Sequence, residues 1–421
     1  MILIKNGRLI DPESKRDKIT DILIDGEVIS KIDRNINIEG IENIINAEGM
    51  IVSPGLIDVH VHFRDPGFTY KEDIHTGALC AARGGFTTVV CMANTKPVVD
   101  NVDTLNYILS EAKKTKINVL QTAAVTKDLK GTELVNMNKL YEAGAVGFTD
   151  DGVPIMDTSI VLNAMNNAKL LDVPISFHEE DPSLVINAGI NEGKISRELG
   201  LKGAHMLAED IMIARDCILA LETKAKVNIQ HVSSGRAVHI IRNAKAMGAN
   251  IFAEASPHHF SLTEDDVLKY NTNAKMNPPL RTEEDRIKII EGLKDKTIDI
   301  IATDHAPHSK EEKDREFLKA PSGIIGLETA LSLGITYLVK KNHLSILELL
   351  ERMTINPAKL YNLKSGRVVS GLKADLLIFD PEKEWTVDKF YSKSSNSPFV
   401  GHKLYGKVMY TICNGQVVYS G

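Results

Sequence analysis

At 421 residues the chain is too long for one compact core and calls for a large domain with a smaller one beside it. With 43% hydrophobic residues, 25% charged residues and a net charge of −6, it reads as an ordinary globular protein with no electrostatic case for nucleic acid. Cys80, Cys91, Cys217 and Cys413 lie far apart without Cys-x-x-Cys spacing, no stretch suits a signal core or a membrane span, and a cytoplasmic protein with buried thiols and no membrane partner is expected.

Residues 1–52 read as short strands with hairpin turns at Asn6-Gly7 and Asp25-Gly26. From 53 to 362, short apolar runs alternate with helix-period stretches such as 105–114 and 159–170. The runs are 55–61, 87–92, 118–124, 145–149, 174–177, 227–229, 250–253 and 298–302. Eight strands alternating with helices predict an α/β fold, a closed (β/α)8 TIM-type barrel. An open doubly wound sheet is the alternative, but no G-x-G-x-x-G follows the first run and no phosphate loop is present. Residues 363–421 return to short strands at 374–379, 385–387, 407–412 and 416–419, the last two flanking Asn414-Gly415. The two flanks are expected to pair as one small discontinuous β-sandwich. The domain reading is 1–52 with 363–421 as a composite β domain, and 53–362 as a metal-dependent catalytic barrel.

Barrel active sites form where strands finish, so polar residues there are candidates for chemistry. The first run ends in His60-Val61-His62, and residues two apart in a strand face the same way. The second ends in Met92-Ala93-Asn94, the fourth in Asp150-Asp151-Gly152, the fifth in His178-Glu179-Glu180, the sixth in Gln230-His231 and the eighth in Thr303-Asp304-His305. Imidazole and carboxylate donors without thiolate suit zinc or a similar divalent ion. His60, His62, His178, His231 and Asp304 offer five ligands, and a bridging Asp151 makes six. Six exceed what one open tetrahedral zinc needs, so two adjacent zinc ions per subunit are expected. Such a pair would acidify a shared water and polarise a carbonyl, with Asp304 placed to take the proton and pass it to a leaving nitrogen. A purely ligating Asp304 is the alternative. Of the tandem carboxylates one points into the mouth and the other outward; Asp151, beside the Gly152 turn, is preferred to Asp150. His305 is expected behind the site, and His258 and His259 are read as orienting a loop or a neighbouring carboxylate.

Several of these stretches are familiar in combination. Gly55-Leu56-Ile57-Asp58-Val59-His60-Val61-His62-Phe63-Arg64-Asp65-Pro66-Gly67 resembles the first-strand motif of dihydroorotases in the amidohydrolase superfamily. So do Met92-Ala93-Asn94-Thr95, Thr149-Asp150-Asp151-Gly152, Met276-Asn277-Pro278-Pro279-Leu280-Arg281, Ala302-Thr303-Asp304-His305-Ala306-Pro307-His308 and Gly323-Ile324-Ile325-Gly326-Leu327-Glu328-Thr329. The resemblance extends over essentially the whole chain. It implies reversible closure of N-carbamoyl-L-aspartate to L-dihydroorotate in pyrimidine synthesis. It implies zinc ligands at His60, His62, Asp151, His178, His231 and Asp304, with Asp304 the acid and base. It implies substrate contacts from His62, Phe63, Arg64, Asn94, Asn277, His308, Ser322 and Gly323. Many relatives bridge the metals with a carboxylated lysine; here Asp150-Asp151 looks like the single-function bacterial type in which an aspartate bridges. Relatives often carry a larger residue than Ser322, a departure that a backbone contact there would not feel.

The chemistry of the residues agrees. Arg64 offers a planar donor fork for the substrate carboxylate, assisted by Asn94, and His308 completes the clamp or receives the ring edge. Residues 308–322, rich in Lys and Glu, read either as a mobile loop over the site or as a solvated charged loop. Another cyclic amidase, a hydantoinase or allantoinase, would need a bridging lysine near the fourth strand and no carboxylate clamp. A catalytically silent homologue acting as a scaffold for aspartate transcarbamoylase should have lost ligands, and none is lost. A homo-oligomer and an association with aspartate transcarbamoylase rest on analogy alone.

Overall fold

A computed structural model covers residues 1–421. The chain opens with five strands, β1 (Ile2–Asp11), β2 (Arg16–Asp25), β3 (Val28–Asp33), β4 (Asn43–Asn46) and β5 (Ile51–Pro54). Eight short strands follow, each all or largely buried: β6 (Leu56–Val61), β7 (Phe86–Cys91), β8 (Asn118–Gln121), β9 (Phe148–Thr149), β10 (Ile175–Phe177), β11 (Val227–Ile229), β12 (Ile251–Ala255) and β13 (Ile300–Ile301). The chain closes with β14 (Leu376–Thr386), β15 (Lys403–Cys413) and β16 (Gln416–Ser420).

All eight strands expected of the barrel are present, paired in parallel in two runs, β6-β7-β8 and β9-β10-β11-β12-β13. Two further bridges close the ring: Ala123 with Phe148 joins β8 to β9, and Val61 with His305 joins β6 to the end of β13. Strands covered by helices outside and by side chains inside have no solvent face, which is why the runs are mostly apolar without a polar outer side. Capped helices fix the returns. Asp73 Oδ1 accepts from Thr76 N at 2.8 Å to start the helix Ile74–Arg83, and Thr282 and Ser345 each close a reciprocal capping box.

The remaining eight strands form one sheet in the order β16-β15-β14-β5-β1-β2-β3, with β4 added alongside β1. Both termini therefore feed the same layer, and their apolar faces share a core containing Ile4, Ile22, Val52, Leu376, Ile378 and Ile412. Asp25-Gly26 turns between β2 and β3 as expected, and Asn414 and Gly415 take φ of 48° and 74° in the tight turn between β15 and β16. Asn6-Gly7 does not turn the chain. Asn6 adopts φ 60° and donates its N–H to Asp21 Oδ1 at 2.9 Å, producing a bulge inside β1. No helix is long and apolar enough to cross a membrane.

Candidate metal and substrate site

The strand ends converge on a cavity of about 240 Å³ at one mouth of the barrel. Strand alternation places Asp58, His60 and His62 on one face of β6 and its extension. The Asp58 carboxylate accepts from His60 N at 3.0 Å and from Thr303 N at 3.2 Å, tying the first strand to the eighth. Asp304 then turns inward with φ 48°, and Arg64 and His231 also take positive φ, 58° and 34°. Non-glycine residues in that region cost of order 1–3 kcal/mol each and persist where the surroundings over-determine them. All three border the same cavity.

Asp151 and Asp304 face the imidazoles. His60 Nε2 lies 3.2 Å from Asp151 Oδ1 and 3.5 Å from Asp304 Oδ1; His62 Nε2 lies 3.4 Å from Asp151 Oδ2 and 3.1 Å from Asp304 Oδ1. His231 Nε2 is 3.7 Å from Asp151 Oδ1 and 3.0 Å from His178 Nδ1. The two oxygens of Asp151 thus look towards different histidines, the posture of a bridging carboxylate. Asp150 faces away: its carboxylate accepts from Val125 N at 2.7 Å, Thr126 N at 3.1 Å and the Thr126 hydroxyl.

The electrostatics follow from this crowding. Burial alone would lower the His60 imidazole, but Asp151 and Asp304 outweigh it and raise its proton affinity well above normal. Burial would lift Asp151, and His60, His231 and His62 more than reverse that, holding it well below the carboxylate range. Two buried carboxylates among four imidazoles form a cradle for positive charge. His60 Nε2 and His231 Nδ1 are buried without hydrogen-bond partners, and three interlocking donor groups lie within 4.8 Å: His60, His62 and Asp151; His60, His231 and Asp304; Asp151, His178 and His231. This donor set fits a divalent cation.

Around the carboxylates, Asn94 braces two of the donors. Its Nδ2 donates to Asp151 Oδ2 at 3.1 Å, which turns its Oδ1 to receive His62 Nδ1–H at 2.9 Å and leaves His62 Nε2 for the cluster. Arg64 makes no salt bridge; its Nε donates to Pro307 O at 3.3 Å, and its Nη2 stands 3.4 Å from His308 Nε2. Lys71 Nζ donates to His308 Nδ1 at 3.2 Å. Burial, with Arg64 and Lys71 adding to it, holds His308 neutral by lowering its pKa far below that of free imidazole.

Arg64, Asn94, Asn277, His308 and Ser322 border the cavity, together with His62, Asp151, His178, His231 and Asp304. His60 lies beneath them with no exposure. Phe63 and Gly323 do not border it. The Phe63 ring packs against Gly77 and edge-on to His305, 6.5 Å between centroids, because it alternates away from His60 and His62. Gly323 lies under His308, where an added Cβ would sit 2.6 Å from His308 Cδ2. His305 is fully buried and accepts from Gly326 N at 3.2 Å, and His259 Nε2 donates to Pro278 O at 3.0 Å.

Sequence reasoning passed over Glu254. It is wholly buried on β12, 3.0 Å from His60 Nδ1, and its other oxygen accepts from Asn228 Nδ2 at 2.6 Å. The signal was an acidic residue in an otherwise apolar strand, Ile251-Phe252-Ala253-Glu254-Ala255.

The family model described as dihydro-orotase-like matches residues 49–237. The dihydroorotase of Clostridioides difficile (strain 630) is 65% identical over 420 residues, covering 100% of both chains. The chain belongs to the dihydroorotase family. The dihydroorotase of Clostridium acetobutylicum is 58% identical, covering 100% of this chain and 99% of that one, and the dihydroorotase of Lactococcus lactis subsp. lactis is 52% identical. Among solved structures, the L-hydantoinase (dihydropyrimidinase) of Arthrobacter aurescens superposes with a TM-score of 0.87 at 26% identity, covering 100% of this chain and 96% of that one. The dihydropyrimidinase of Brevibacillus agri NCHU1002, at 22% identity and a TM-score of 0.86, shares the fold.

Proposed function

We propose that the protein is a zinc-dependent dihydroorotase, interconverting L-dihydroorotate and N-carbamoyl-L-aspartate in pyrimidine synthesis. The observation that carries the reading is the pairing, in one cavity, of a carboxylate–imidazole cradle with Arg64, a guanidinium that makes no salt bridge within the protein.

His60, His62, Asp151, His178, His231 and Asp304 would hold two zinc ions, with Asp151 the bridge; the orphaned His60 Nε2, turned towards Asp151 and Asp304, supports that assignment. When bound, zinc supplies the Lewis acidity that lowers the pKa of water and polarises an amide carbonyl.

The protein's own groups do the rest. Arg64 receives the exocyclic carboxylate of dihydroorotate through its planar fork, and Asn277 and the cavity-facing edge of His308 border the ring. Water adds to the ring acyl carbon while the Asp304 carboxylate takes its proton. The bond from that carbon to the ring nitrogen then breaks, and Asp304 returns the proton to the departing nitrogen. The product gains a carboxyl group that ionises, so high pH favours the open acid and low pH favours the ring. Asp304 is ionised, because His60 and His62 outweigh its burial, and so has a lone pair free to accept a proton.

The four buried free cysteines suit a reducing compartment, in keeping with a cytoplasmic enzyme. The deciding experiment is an assay of the zinc-loaded protein on carbamoyl aspartate and dihydroorotate, with metal content by elemental analysis. Interconversion is expected; activity on hydantoin or allantoin alone would overturn the assignment.

A further inference from the structure

Directly after His308 the chain leaves the barrel as the loop 309–322, and two lysines are buried against its inner curve. Lys275 and Lys313 are each 4% exposed. Neither makes a salt bridge. Lys275 Nζ donates to Phe317 O at 2.7 Å, Leu318 O at 3.3 Å and Ala320 O at 2.7 Å. Lys313 Nζ donates to Pro321 O at 3.0 Å and Gly323 O at 3.1 Å. A buried ammonium without a counter-ion is costly, and here the hydrogen bonds that compensate it all go to backbone carbonyls of 317–323.

Those carbonyls flank the part of the loop that reaches the cavity. Ser322, at the cavity wall, sits between the two carbonyls held by Lys313. Gly323 N donates to Lys275 O at 2.9 Å, so Lys275 grips the segment by side chain and backbone. Gly323 packs under the His308 ring with no room for a side chain. Lys275 is also two residues from Asn277, which borders the same cavity. The outer face of the loop is solvated, with Glu316 and Lys319 paired only to each other.

We propose that Lys275 and Lys313 are positioning residues that hold the 317–323 backbone against the cavity, fixing Ser322, Gly323 and the His308 ring where dihydroorotate binds. This rests on the dihydroorotase reading for the identity of the ligand, and on geometry alone for the anchoring. The lysines touch neither substrate nor metal; they act through the loop.

The test compares zinc-loaded wild type with Lys275→Met and Lys313→Met. Amide exchange of 317–324 is expected to speed up by about ten- to hundredfold, the consequence of losing hydrogen bonds to a charged donor. KM for dihydroorotate should rise by about tenfold with kcat and zinc content nearly unchanged, the signature of lost binding rather than lost chemistry. Unchanged exchange in both variants would overturn the anchoring, and faster exchange with an unchanged KM would overturn its role at the site. If either methionine variant fails to fold, Lys275→Leu and Lys313→Leu, which also remove the donor, are read by the same criteria. A wild type without dihydroorotate turnover would overturn the functional reading instead, leaving exchange to decide the anchoring.

Discussion

His60 Nδ1 and Glu254 Oε2 stand 3.0 Å apart, and neither residue has any exposed surface. The carboxylate keeps the proton on Nδ1, so Nε2 is the nitrogen presented to Asp151 and Asp304. Asn228 holds Glu254 in turn through its other oxygen, and Ser176 receives a second Asn228 N–H at 3.1 Å. A carboxylate behind a ligating imidazole fixes the ring and raises its basicity. Glu254→Gln keeps the shape and the Asn228 contact but turns an N–H donor on Nδ1. Metal affinity should drop about 10–100-fold. Competition with a chelator measures it, and an unchanged affinity would show that Glu254 merely fills space.

Arg64 is placed to bind an anion and not to hold metal, since it contacts Pro307 O and the His308 edge but no ligand carboxylate. Arg64→Met should therefore cost substrate binding about 1.5–3 kcal/mol, roughly ten- to hundredfold in KM. Zinc stoichiometry should stay at the wild-type value. Loss of zinc in this variant would mean that Arg64 supports the cluster rather than the substrate.

The barrel was legible because its strands have no solvent side: mostly apolar runs with polar ends mark both the elements and the mouth. The donor residues could be read for the same reason, since each stands where a run stops. Glu254 is hard to read in the sequence because the apolar run breaks at Ala253 and its partner lies 194 residues away. Asn6-Gly7 has the composition of a hairpin turn, yet Asp21 across the sheet captures the Asn6 N–H and makes it a bulge. Phe63 entered as a substrate contact through family resemblance, whereas strand alternation alone would have turned its ring away from His60 and His62. Lys313 looks in the sequence like one more charge of a solvated loop because its acceptors are backbone carbonyls, which leave no trace there.

Lys313 makes the stability of the fold depend on pH in a definite direction. Burial, with the Lys275 charge adding to it and Glu312 opposing, brings its ammonium down to about 7. In the unfolded chain a lysine titrates near its ordinary value of about 10.4. Between these values the unfolded state binds more protons, so this group adds stability as pH rises through that window and withdraws it as pH falls towards 7. The neutral amine still has two N–H donors for Pro321 O and Gly323 O. Denaturant midpoints of wild type and Lys313→Met, taken from pH 7 to 9.5, should diverge in favour of wild type with rising pH. The upper bound is about 1.4 kcal/mol per pH unit. Parallel curves would place the Lys313 titration elsewhere.

Asp304 separates ligation from proton transfer. Its Oδ1 faces His62 Nε2 at 3.1 Å and His60 Nε2 at 3.5 Å, so an amide at the same position keeps an oxygen for the cluster. What Asp304→Asn removes is a group able to accept a proton from water and give it to the ring nitrogen. Positioned general acid–base catalysis is worth about 10²–10⁴-fold, and kcat should fall by that amount. The assay must be run beside elemental analysis, because a variant that has shed its zinc is inactive for a different reason. Full zinc content with a collapsed kcat identifies Asp304 as the proton carrier. Full zinc content with a near-normal kcat leaves it a ligand only, and the proton would have to travel by another route.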